Sequence, residues 1–261
     1  MALFKNLFKK GKPKNNQPTS LAMVLFPGTE SFSLNRFLED VYANYGYQIE
    51  KGGSDDIDGA FVINGISVSF MNMNFPVPAK DIEATAQYAY NWKTANEELK
   101  NHQGHFILVI DVDTQNAISC FKLRSELICS VLRTTDALGV YDGDQSLLIS
   151  KSDYLIEFKK MTDTLLPLNL WVYFGLRTFD GKNHGYTYGM KAFGKADMEI
   201  IDSDLPLIAI RERLWNVTNY ALLNDITFSE GQTLGYTTEE RIKITYSKAK
   251  FARGYTFKLH Y

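Results

Sequence analysis

AFVINGISVSFMNMNF, Ala60 to Phe75, is an apolar-rich segment broken at Asn64 and Gly65. An Asn-Gly pair between two apolar runs is the signature of a type I′ turn, whose two positive-φ positions suit the twist of antiparallel strands. The segment therefore reads as a hairpin, and the elements on either side of it decide what kind of sheet it joins.

Upstream, LAMVLFPG (Leu21 to Gly28) is a short apolar run closed by Pro27 and Gly28, read as a buried strand. Leu34, Phe37, Leu38, Val41 and Tyr45 then recur at helical spacing, with Ser31 or Ser33 as the cap and Gly46 as the stop. The acidic turn SDDIDG (Ser54 to Gly59) leads into the hairpin. Downstream, Asp81 is placed to cap a helix through Ile82, Ala86, Ala89 and Tyr90, and HFILVIDVD (His105 to Asp113) is a strand of near-continuous apolar character. Ala117 to Leu138 reads as the longest helix of this half, followed by a turn at Asp142 to Gln145 and the brief strand SLLIS. The order β-α-β-β-α-β-α predicts a ferredoxin-like layer, with helices on one face of a mixed sheet.

The second half is hairpin-rich. After a short helix near Ser152 to Met161, NLWVYFGLRTF and GYTYGMKAF flank the polar turn DGKNHG. The strand ADMEII precedes a long helix striped by Leu207, Ile208, Ile210, Leu214, Val217, Ala221 and Leu222. ERIKITYS and RGYTFKLHY close the chain as an alternating pair, with Ile242, Ile244, Tyr246, Tyr255, Phe257 and Leu259 expected on one face and Arg241, Lys243, Thr256 and Lys258 on the other. The class predicted is α+β, with mixed and antiparallel sheets, and the chain divides into a basic tail (1–20), an α/β half (21–150) and an α+β half (151–261).

At 261 residues, 45% of them hydrophobic, the chain is long enough to bury a core without staples. A net charge of −2 supplies no global field to draw nucleic acid or anionic lipid, so neither is expected as a general partner. Cys120 and Cys129 lie nine residues apart on one helix, on opposite faces, and cannot bridge. Sparse cysteine and no secretory pattern fit a cytoplasmic location, and no segment reads as transmembrane. In the tail, Phe4, Leu7 and Phe8 alternate with basic residues including Lys9 and Lys10, a pattern that suits docking on a partner protein or weak contact with a membrane surface; the alternative is a solvated tail with one frayed turn, since so short a segment rarely holds a helix alone.

GMKAFGKA (Gly189 to Ala196) approaches the phosphate-loop pattern, but Ala196 lacks the hydroxyl that would ligate Mg²⁺ and the flanking residues read as strand. The glycines instead suggest bulges or close backbone approach within a sheet. LPLNLWVYFGL, TYGMKAFGKADMEI and the EGQTLG turn resemble the C-terminal core of a mostly bacterial family, domain of unknown function DUF4261, over roughly Leu166 to Thr245. The H-x-x-H before the HFILVIDVD strand is similar to the upstream part of longer members. The resemblance implies a fold unit and a bacterial setting, with no known reaction and no catalytic residue to transfer.

His102, His105 and His184 are the candidate metal ligands; the alternative is that they bond the backbone at element ends. Asp111 shares a strand with His105 but lies about 20 Å away at about 3.3 Å per residue, too far for one metal to bridge. Asp111 and Asp113 form a separate carboxylate pair at the strand end, able to hold a cation or simply to mark the exit from the core. There is no G-x-S-x-G, and neither cysteine has a histidine beside it in sequence, so no nucleophile is assigned. Lys and Arg interleaved with Tyr and Phe from Arg241 onward resemble a nucleic-acid platform, although a half-buried hairpin gives the same pattern. With no catalytic constellation and no cofactor fingerprint, the expectation is a non-catalytic protein-binding role. Toxin neutralisation, or an accessory part in a secretion or defence assembly, would suit such a chain. A metal-dependent protein built on the His102/His105 region is the second reading, and nucleic-acid binding by the last hairpin is the third.

Overall fold

A computed structural model describes residues 18–29, 31–49, 54–235 and 241–261. The first sheet collects β1 (Thr19–Phe26), the hairpin of β2 (Asp58–Ile63) and β3 (Ile66–Met73), then β4 (Gly104–Asp111), β5 (Gly139–Asp142) and β6 (Leu147–Ser150). Asn64 and Gly65 carry φ of 52° and 80°, so the turn that opened the reading has the two left-handed positions of type I′. Helices α1 (Leu34–Tyr45), α2 (Ala79–Ala86), α3 (Ala95–Glu98) and α4 (Ala117–Thr134) fall between the strands.

The expected elements come in the expected order, with the short helix α3 and the strand β5 in addition, and the class is α+β. The strand order is β2-β3-β4-β1-β5-β6, with every neighbour antiparallel. Strand β4 therefore lies between β3 and β1, where a ferredoxin-like order would put β1 directly against β3. Coverage also differs from the one-face expectation. Ala22, Val24 and Phe26 of β1 face α1 and α4 in the main core, whereas Met23 and Leu25 face Ile82, Trp92 and Leu99 of the α2–α3 segment. With both faces buried, β1 and β4 must be apolar at consecutive positions, which is why LAMVLF and HFILVID do not alternate.

The second sheet runs β10-β11-β12-β9-β8-β7, from β7 (Tyr173–Phe179), β8 (Lys182–Tyr188), β9 (Met198–Ser203), β10 (Thr233–Leu234), β11 (Ile242–Lys248) and β12 (Tyr255–His260). Its one parallel pairing joins β12 to β9. Helix α5 (Lys151–Lys159) connects the sheets, and α6 (Leu207–Leu223) buries Ile210, Leu214 and Val217. One apolar cluster crosses both halves, with α4 inside it: Phe121 packs on Trp171 and Phe193, and the Trp171 indole N–H donates to Ser125 Oγ at 2.9 Å. Cys120 and Cys129 are both buried free thiols on this helix.

Several sequence expectations are corrected. Helix α4 stops at Thr134, short of Leu138, and the Thr135 hydroxyl closes it by donating to Val131 O. The segment Met190–Phe193 is a 3-10 turn and not a strand; Gly189 (φ 120°) and Gly194 (φ 69°) are its left-handed caps, so no bulge is needed to explain them. In the last hairpin Ile242, Ile244, Phe257 and Leu259 are buried as the alternation requires, but Tyr246 and Tyr255 near the turn are exposed. Thr256 and Lys258, expected toward solvent, are buried, because β12 is covered on its second face as well.

Candidate binding cleft

The strand that ends one sheet, β6, and the strand that ends the other, β7, approach across a cleft of about 470 Å³. Edge strands present unpaired backbone groups, and a space of this size between two sheets lies within the range of ligand-binding clefts. Helices α5 and α6 close one side, and the residues between α2 and α3 close the other.

The α2–α3 side is aromatic. Tyr90 stacks on Tyr173 with ring centroids 5.9 Å apart, and their hydroxyls meet at 2.7 Å. Tyr88 meets Tyr173 edge-on. Burial, followed by the bond to Tyr90, pushes the Tyr173 hydroxyl well above its ordinary range, so it stays protonated as a hydrogen-bonding group. The helical side is polar and internally bonded. Lys160 Nζ donates to Glu157 Oε2 (3.0 Å), Asn169 Nδ2 donates to Glu157 Oε1 (2.6 Å), and Arg211 Nη2 donates to Asn169 Oδ1 (2.7 Å). The Arg211 guanidinium lies 5.8 Å from the centre of the Phe174 ring. Between these walls, Ile156 and Ile208 are 57% and 62% exposed, high for large aliphatic side chains.

The histidines are placed elsewhere. His102 is buried; its Nδ1 donates to Leu99 O (2.6 Å) and its Nε2 accepts the Val77 N–H (2.9 Å), so both ring nitrogens are committed to backbone. His105, on β4, donates from Nδ1 to Phe75 O (2.8 Å), while its Nε2 is buried without a partner. Burial lowers the His105 pKa and keeps the ring neutral. His184 lies inside β8 rather than in the turn before it; its Nδ1 accepts the Asp202 N–H at 3.0 Å. Asp113 caps the short 3-10 turn that follows β4 by accepting from Gln115 N. Among the described residues no three His, Cys, Asp or Glu side chains converge as a metal site would require. The tail residues Phe4, Leu7, Phe8, Lys9 and Lys10 lie outside the described residues.

Lys195 of the Gly-Lys motif is paired with Asp225 (2.8 Å). Lys258 of the last hairpin is paired with the fully buried Glu199 (2.9 Å). Burial by itself would raise the Glu199 carboxyl, but the N–H groups of Lys250, Ala252 and Phe251, joined by Lys258, outweigh it and hold the carboxyl below its usual range. This basic residue of the supposed nucleic-acid platform is thus spent inside the protein.

Sequence reasoning missed the cleft residues Tyr88, Asn169, Tyr173 and Arg211. Tyr90 and Tyr173 are 83 positions apart, and no local spacing announces that they touch. The available signal was compositional: fifteen tyrosines are more than a core readily absorbs.

No helix among the described residues is long and apolar enough to cross a membrane. No curated protein and no solved structure matches the chain. The C-terminal part does have a counterpart, beginning twenty residues later and ending fifteen later than the resemblance first drawn: residues 186–260, from β8 to β12, match the model of the family described as domain of unknown function DUF4261.

Proposed function

We propose that the chain is a non-catalytic bacterial protein-binding module acting in the cytoplasm, and that it takes an extended segment of a partner protein in the cleft between β6 and β7. The observation that carries this reading is the clustering of exposed Ile156, Ile208 and Tyr90 where two sheet edges meet. Apolar side chains scattered over a surface need no explanation, but a group of them rimming a concave site marks a place where another molecule is seated. Strand edges add a backbone contribution, since an extended chain can bond to them while its side chains enter the cleft. The role we propose for such a module is toxin neutralisation or an accessory part in a secretion or defence assembly, a reading by elimination. The basic tail with Phe4, Leu7, Phe8, Lys9 and Lys10 serves as a second contact on the same partner.

The test is site-specific photo-cross-linking in cells. A benzophenone side chain at position 208 is expected to yield one discrete protein adduct. The same group at Tyr42, exposed on α1 and outside the cleft, is expected to yield none. Equal labelling at both positions, or none at 208, would remove the reading.

A further inference from the structure

The way the cleft's charged groups are held, Arg211 above all, indicates what the bound segment carries. Asp153 accepts from Ser150 Oγ (2.8 Å), and both oxygens of Glu157 are occupied, by Asn169 and Lys160. Each acid of the cleft is thus tied to a neighbouring donor of the protein. Of the bases, Arg211 gives one of its five N–H donors to Asn169 and Lys160 gives one of its three to Glu157, so both keep donors for a ligand.

Arg211 is also held in place. Asn169 fixes one edge of the guanidinium, Glu157 fixes Asn169, and the Phe174 ring lies 5.8 Å from the guanidinium carbon. A positioned planar fork with free donors loses little entropy on binding a carboxylate and can hold it with two parallel bonds. A single guanidinium, rather than a cluster of them, suits a singly charged carboxylate better than a phosphate. Beside it, Ile156 and Ile208 offer apolar surface.

Resting on the reading of the cleft as a protein-binding site, we infer that the partner segment is acidic: an Asp or Glu carboxylate binds Arg211 with Lys160 beside it, and a neighbouring apolar residue packs on Ile156 and Ile208. The cleft thereby selects acidic-apolar peptides even though the chain as a whole has a net charge of −2.

Short random peptides displayed on phage and panned against the full-length protein test this. The enriched peptides are then synthesised and titrated against wild type, Arg211→Gln and Ile208→Asp. Both substituted side chains are outside the buried core, and a thermal melt verifies that each variant is folded. The expected result is enrichment of Asp or Glu next to an apolar or aromatic residue, with affinity reduced about tenfold or more by Arg211→Gln, the range for a hydrogen-bonded charge pair. Replacing the peptide's acid by its amide should cost wild type the same factor and cost Arg211→Gln almost nothing further. A merely structural role for Arg211 would not produce that coupling. Peptides weakened by Ile208→Asp but lacking an acid, or indifferent to Arg211→Gln, would overturn the acidic specificity and leave the cleft reading standing. No enrichment, or peptides indifferent to Ile208→Asp, would overturn both.

Discussion

At His102 one imidazole satisfies two backbone groups that would otherwise be buried and unbonded, the Leu99 carbonyl and the Val77 N–H. Removing it leaves an orphaned donor as well as a void, so His102→Ala should lower stability by about 2–4 kcal/mol in urea titration. A variant as stable as wild type would show that the ring is not structural. Asp197 behaves differently, because its carboxylate is buried where ionisation is costly, and burial raises its pKa to about 6 despite bonds from the Met190 N–H and the Thr187 hydroxyl. Its unfolded pKa is near the ordinary Asp value, so below about pH 4 both states are protonated and no cost arises. As pH rises through about 4 to 6 the unfolded state ionises first, and stability is lost, about 3 kcal/mol by pH 7. Asp197→Asn should remove this slope, and melting curves at pH 5 and 7.5 read it directly. A wild type and a variant with parallel pH profiles would contradict the assignment. Spacing indicated which histidines to question, but it could not say whether their nitrogens were free, since Val77 and His102 meet only through the fold.

At the scale of elements the sequence was most legible where a local rule acts alone. The Asn64-Gly65 turn and the Gly46 stop of α1 follow from φ preference and stand where they were read; the stripe of α6 holds at Ile210, Leu214, Val217, Ala221 and Leu222, but Ile208, expected within it, is exposed. It was least legible where coverage by a distant segment changes what a strand face means. Thr256 and Lys258 read as solvent-facing because they alternate with Phe257, yet the chain at 250–252 folds over that face and brings its N–H groups to Glu199. Glu199, Lys258 and Thr256 form a buried network joining β9 to β12 across the parallel pairing. Glu199→Gln leaves the Lys258 ammonium buried without its counter-charge and should cost about 3–5 kcal/mol of stability. Glu199→Gln with Lys258→Met should recover part of that loss. A double variant less stable than the single would contradict the pairing. The 3-10 turn at Met190–Phe193 was misread because four residues cannot display a period, and its two left-handed glycines fit a bulge equally well.

For the molecule as a whole, the two halves inferred from pattern are joined by one apolar core around α4, and the cleft is a product of that union. Its walls come from five stretches of chain between Tyr88 and Arg211, none of which carries a motif for binding or catalysis. The class of the fold could thus be read from periodicity and turns, whereas the site could not, because it depends on how the edges β6 and β7 are brought together. Binding of a protein in this cleft is the function proposed for the chain. The most direct measurement is quantitative mass spectrometry of what co-purifies, at native expression level, with the tagged full-length chain and with Ile208→Asp. Ile208 is an exposed side chain, so the substitution should leave the melting temperature close to wild type. One protein is expected in stoichiometric amount with the wild-type chain and is expected to be lost with Ile208→Asp. Recovery of the same proteins with both chains, or of the chain alone in both, would contradict it.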